Sequence, residues 1–228
     1  MLKFLISCQN GHEKNIDTSS IEVNFSMHRF DKDFYDFKGE SLEVLRASYP
    51  LLLPKETPDS IWIEKIKDKD EQELYNETQK VYKNINKIEK ELTDLFKHIK
   101  YYSPKFYSPD VTTLLTNIDY THRVIYTNSK LFISLDAYLG KDHPFYNDYP
   151  SYIKENNTEE RIVVDVANKI IETKTQPSNN RTFLAKMIQE GRKLYLLELY
   201  LPITPDAIKI GYSKEKFDWA ISNEEQVW

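Results

Sequence analysis

Leu131 to Tyr149 reads LFISLDAYLGKDHPFYNDY, and the fold turns on how this stretch is understood. Leu131, Ile133 and Leu135 alternate with other residues, the period-2 signature of a strand with one buried face. The pattern breaks at Asp136, turns through Gly140 and enters a cluster of acidic and aromatic side chains. Asp136, Tyr138, Asp142, His143 and Tyr146 fall just beyond the end of that strand, where binding and catalytic residues concentrate. They form the candidate binding surface. Asp136 and Asp142 have an architectural alternative: Asp136 accepts backbone N–H groups in a turn, and Asp142 caps the next segment.

Working outward, the alternation predicts two companion strands, Val111–Thr116 and Val124–Thr127, with polar turns at Tyr120–Arg123 and Asn128–Ser129. Short connections make neighbouring strands antiparallel. An earlier alternating run from Ile21 to Met27, ending near Arg29-Phe30-Asp31, joins the same sheet. Helical signals occupy the rest. Thr57-Pro58 and Thr204-Pro205 read as helix starts, a cap followed by proline in the first turn. Asp68–Tyr82 is a charged helix with one solvent flank. Ile85, Ile88, Leu92, Leu95, Phe96 and Ile99 form a continuous apolar stripe on the next.

Beyond Tyr149, Asn157 and Glu160 predict a capped helix from Glu159 to Thr173, buried through Ile162, Val163, Val166, Ala167, Ile170 and Ile171. Residues 176–180 read as a loop. The helix Arg181–Tyr200 is apolar at Phe183, Leu184, Met187, Ile188, Leu194 and Tyr195, and a last helix from Ser213 turns Phe217, Ala220, Ile221 and Val227 inward. The fold class is therefore α+β, a small mostly antiparallel sheet flanked by helices. Residues 1–20 make a tether and 21–228 a single domain, and the abrupt end at Trp228 reads as a cut.

Composition narrows function. The 228 residues are 40% hydrophobic and 29% charged, with a net charge of −5. Acids and bases are interleaved, so no nucleic-acid footprint is present. Gly occurs only 5 times, and no glycine-rich phosphate loop and no strained serine elbow is found. A single cysteine rules out an intrachain disulfide, and no run reaches the ~20 apolar residues that cross a bilayer. The histidines, His12, His28, His98, His122 and His143, lack the paired spacing of metal ligands. His122 and His143 flank the central loops and are the pair placed to converge with Asp136 or Asp142. The Tyr-rich regions 101–107 and 138–152 read equally as a glycan or protein surface and as half-buried core edge.

Leu5-Ile6-Ser7-Cys8 resembles a bacterial lipobox, with Lys3 before it and polar residues after it. Only seven residues precede Cys8, short for a signal segment, so the true start is expected upstream.

Several phrases, in order, resemble the gliding motility-associated lipoprotein B (GldB) family of gliding Bacteroidetes. They are Arg29-Phe30-Asp31, Tyr49-Pro50, Pro54–Ser60, Asp70–Leu74, Leu95–Tyr102, Leu135–Asp142, Arg181–Ala185 and Lys209–Tyr212. The resemblance spans about residues 22–228. It implies an envelope lipoprotein, periplasm-facing or in the outer membrane, lipidated at Cys8. It further implies that other gliding-machinery proteins are the partners, with no cofactor and no catalysis. A more distant likeness is to zincin metallopeptidases, whose H-E-x-x-H helix supplies two zinc ligands and a base. The helix in that position reads Val163-Val164-Asp165-Val166-Ala167-Asn168-Lys169, without histidine, and Glu190-Gly191 stands where a third ligand would be. That likeness implies a degenerate zincin-like core, a pseudoenzyme. The rival expectation is a metal-dependent peptidase or other envelope hydrolase with scattered ligands.

Overall fold

The structure, a computed structural model, describes residues 16–39, 41–175 and 181–227. Its first strand, β1 (Met27–Arg29), leads into α1 (Phe30–Tyr35), α2 (Glu43–Ser48), α3 (Asp59–Lys67), α4 (Lys69–Val81) and α5 (Asn86–Tyr102). Three strands follow: β2 (Asp110–Leu114), β3 (Val124–Tyr126) and β4 (Lys130–Ser134). Short 3-10 turns at Leu135–Ala137 and Pro144–Tyr146 precede α6 (Ser151–Lys154), α7 (Glu159–Lys174) and α8 (Phe183–Tyr200). The described chain closes with α9 (Asp206–Ile210), α10 (Lys214–Ser222) and α11 (Glu224–Val227).

The fold is α+β, but the sheet is mostly parallel, which corrects the antiparallel expectation. Strand order is β1-β2-β4-β3; β1–β2 and β2–β4 are parallel and only β3–β4 is antiparallel. The short-connection rule holds for the β3–β4 hairpin, closed by the Thr127 N–H donating to the Lys130 carbonyl at 2.8 Å. It fails for β2 and β3 because these consecutive strands are not neighbours. The chain passes from β2 to the outer edge, and β4 returns between them. Leu131 and Ile133 are fully buried, so β4 takes the interior position, whereas Ile125 of β3 is 45% exposed and suits an edge. Five helices separate β1 from β2, the kind of long crossover a parallel pair requires.

Residues 21–29 alternate in burial as expected, yet only Met27–Arg29 pairs in the ladder. The α5 stripe is buried as its period requires, and the large core sets α5, α7 and the end of α8 against the sheet. A second cluster, Phe34, Tyr35, Leu42, Leu45, Tyr49, Leu53, Ile66 and Tyr75, is gathered by α1–α4 and the segments between them.

Two expectations are corrected. Asn157 does not cap α7; it is buried and its Oδ1 accepts from Arg123, while Thr158 occupies the cap position without a side-chain bond. The apolar positions named for α8 point outward: Phe183 is 74% exposed and Ile188 48%, whereas Leu197 and Tyr200 are buried. Both sides of that helix are apolar, so periodicity could not choose between them. No residue of α10 is buried, Phe217, Ala220 and Ile221 included. The side chain of Val227, the loop 176–180 and Cys8 lie outside the described residues.

Candidate functional site

Because β1, β2 and β4 are parallel, Arg29, Leu114 and Ser134 end at the same edge of the sheet. In sheets of parallel strands this carboxyl edge is where sites are built. Two fully buried carboxylates, Asp31 and Asp136, lie there. Asp31, fully buried, accepts from Arg29 Nε (2.9 Å), Gln79 Nε2 (3.0 Å) and Thr113 Oγ1 (2.5 Å). Asp136 follows β4, also fully buried, and accepts the N–H groups of Thr116 (3.0 Å) and Ile118 (2.7 Å). Burial raises its pKa to about 6 against those hydrogen bonds. To reach it, Asn117 and Ile118 adopt positive φ of 55° and 63°. For a β-branched isoleucine that conformation is strained.

Of the candidate surface residues, Asp136, Tyr138 and Tyr146 are buried, which corrects their assignment to a surface. They form the framework beneath it. The Tyr146 hydroxyl donates to the Asp136 carbonyl at 2.6 Å and accepts from Leu139 N–H at 2.9 Å. Gly140, at φ 110°, donates its N–H to the Asn157 carbonyl at 2.8 Å. Asp142 is exposed. The cap of the following turn is His143, whose Nδ1 accepts from Phe145 N–H, and not Asp142. His143 Nε2 lies 3.6 Å from Glu77, while His122 pairs with Asp119 at 2.7 Å. The two histidines therefore do not converge.

Two cavities flank this framework. The first, about 730 Å³, is bounded by Lys65, Asp68, Glu71, Asn117 and Phe145. Glu71 accepts from Lys65, Tyr35 and Asn117 Nδ2, the last at 3.0 Å. Burial alone would raise its pKa, but these three partners outweigh it and hold the carboxyl below its usual range.

The second cavity, about 430 Å³, lies between the start of β3, α7 and α8. Asp165, Asn168, Lys169 and Glu172 line it from α7, Glu190 and Lys193 from α8, and Arg123 from the β3 side. These include the positions set against the zincin pattern, so tertiary packing brings Asp165, Lys169 and Glu190 to one cleft. Their chemistry does not fit a zinc centre. Asp165 accepts from Tyr138 Oη (2.9 Å) and Arg161 Nε (2.9 Å), and Glu190 pairs with Lys193 at 2.9 Å. No histidine or cysteine lines the cleft, and no group of three metal-binding side chains occurs among the described residues. Burial, then the Asp165 charge, pushes the Tyr138 phenol well above its ordinary pKa, so it stays a hydrogen-bond donor.

The match of residues 11–228 to the family model for gliding motility protein GldB covers nearly the whole chain. The chain belongs to the GldB family. No curated protein and no solved structure matches it. As a member of this lipoprotein family it is a gliding motility-related protein, and the family points to a membrane-anchored envelope protein. No described helix is long and apolar enough to cross a membrane. In the sequence, the phrase Arg29-Phe30-Asp31 and the Val163–Lys169 helix give neither Asp31 nor Arg123 a task. The available signal was a charged residue next to an apolar strand end, which is weak without knowledge of which strands adjoin.

Proposed function

We propose that this GldB family member is an envelope lipoprotein, tethered through Cys8, that works by docking other components of the gliding machinery rather than by catalysis. The observation that carries this reading is the state of the α7 cleft. A catalytic zinc ordinarily needs three protein ligands and an open position. The Asp165 carboxylate is instead committed to Tyr138 and Arg161, Lys169 pairs with Glu172 at 3.2 Å, and Glu190 pairs with Lys193. What remains is a shaped groove on a sheet-and-helix frame in which each carboxylate already has a cation partner, suited to recognition. Several acyl chains, as bacterial lipoproteins carry, hold such a domain at a membrane surface where one chain would not.

Metal analysis of the purified chain tests the catalytic half. Sub-stoichiometric zinc, unchanged by His122→Ala and His143→Ala, is expected; stoichiometric zinc lost in either variant would make it a metallohydrolase. Fractionation of cells carrying Cys8→Ala tests the tether. The variant is expected in the soluble fraction, and its full retention in membranes would sink the anchor.

A further inference from the structure

α8 carries a row of apolar side chains turned away from the domain. Phe183, Leu184, Met187, Ile188, Leu194 and Tyr195 are between 40% and 74% exposed. At 3.6 residues per turn they fall within one arc of about 140°, along ~18 Å of helix. The other side of α8 packs on α5 and α7, and there Ala185, Gln189, Lys193 and Leu196 are half-buried. Glu198, which falls inside the arc, is paired with Lys209. Apolar residues scattered singly on a surface need no explanation, but a contiguous row marks a place where a partner displaces water.

Three features select a lipid bilayer as that partner. Lys186 and Arg192 flank the arc on its two sides, both exposed and without a carboxylate partner among the described residues. Cations beside a wide apolar face are the signature of a helix lying in the interface of a membrane with anionic lipids. Toward its C-terminal end the row meets further tyrosines. The Tyr102 ring centre lies 5.0 Å from that of Tyr101 and 6.4 Å from that of Tyr200. Burial, then the phenols of Tyr101 and Tyr195, raises the Tyr102 pKa, so Tyr195 belongs to the same group. Tyrosine concentrates where hydrocarbon gives way to water. The tether reaches this end too, since Ile16 lines a cavity with Tyr200, Leu201 and Ile203. Cys8 stands eight positions before Ile16, a stretch that spans at most ~28 Å in any conformation. A lipid on Cys8 holds α8 close to the bilayer, where even a weak face engages, because a short linker gives an effective concentration of about millimolar.

We propose that α8 is an interfacial helix, whose apolar row enters the headgroup region of the membrane that carries the anchor while Lys186 and Arg192 meet anionic headgroups. This assignment rests on the tether through Cys8 and adds the face that the domain turns to the bilayer. Held at two points, the lipid and α8, the domain presents its remaining surface to other proteins in one orientation.

The test uses the full chain carrying Cys8→Ala, which has no anchor and no other cysteine. Adding Leu184→Cys places one polarity-sensitive dye on the row, and Val44→Cys, at an exposed position of α2, serves as the control. Vesicles of phosphatidylethanolamine and phosphatidylglycerol should shift the emission of the first dye to the blue and leave the second unchanged. Cosedimentation with these vesicles should fall ~10-fold when Leu184→Glu and Ile188→Glu are introduced together. Lys186→Glu with Arg192→Glu should also lower it ~10-fold, as should vesicles of phosphatidylcholine alone. No shift at Leu184, an equal shift at Val44, or indifference to either glutamate pair would overturn the proposal. A dye already blue-shifted without lipid, in a chain that sediments as a dimer, would give the row to a second copy and overturn it too. Because the measured chain lacks Cys8, a failure here leaves the tether standing. Conversely, membrane retention in cells of Cys8→Ala combined with Leu184→Glu and Ile188→Glu would refute the tether and leave α8 to the vesicle result.

Discussion

Asp136 shows how a single residue couples the site to pH. Its carboxyl titrates near 3.8 when unfolded and at about 6 when folded, because burial penalises the charge. The folded state therefore holds the proton more tightly. This group favours folding most below pH 4, loses that contribution as pH rises through about 6, and is level above it. The difference corresponds to ~3 kcal/mol. In urea titrations from pH 4 to 7, the stability of the natural chain relative to Asp136→Asn is expected to fall by up to that amount. A flat difference curve would refute the shift. Tyr146→Phe removes a buried hydroxyl that both donates and accepts, leaving Leu139 N–H without its partner. It is expected to cost ~1–3 kcal/mol by the shift in urea midpoint. At Gly140 a Cβ would meet nothing within 4 Å, so only the φ of 110° opposes a side chain. Gly140→Ala should therefore destabilise by ~1–2 kcal/mol through backbone conformation alone.

The helices separate periodicity from burial. α5 and α8 both carry long apolar rows, yet Leu92 of α5 is fully buried and Leu184 of α8 is 64% exposed. Leu92→Ala is expected to cost ~2–5 kcal/mol. Leu184→Ala should change stability by no more than ~0.5 kcal/mol, as surface substitutions do. Equal losses at both positions, read from thermal melts, would mean that the outer row of α8 is covered in the folded protein. The stretch Leu131–Tyr149 was legible as a strand followed by a turn, and β4 with the two 3-10 turns realises it. What that turn supports was not legible. Asp136 and Tyr138 find their partners on other segments, at Thr116 and Ile118 and at Asp165, while Tyr146 closes back within the stretch on Asp136 and Leu139.

At the scale of the molecule, Asp31 joins the sheet to the helical layer that precedes it. It binds Arg29 of β1, Gln79 of α4 and Thr113 of β2. Asp31→Ala would leave the largely buried Arg29 guanidinium without its counter-charge, and is expected to cost ~3–5 kcal/mol. A urea transition that drops by this much yet remains single would show the two hydrophobic clusters unfolding together. Two transitions would make α1–α4 a separate unit.

Local chemistry in the sequence determined the α+β class, the positions of the long helices, the α5 and α7 faces and the ordered phrases of the GldB family. These depend on neighbours within one or two turns of helix or along a single strand, so one sequence suffices to read them. Tertiary structure alone decided that β4 lies between β2 and β3, that α8 turns an apolar row outward, and that Asp165, Lys169 and Glu190 meet at one cleft with their charges matched. Those outcomes depend on which distant surfaces compete for the same buried space, and no local pattern records that competition.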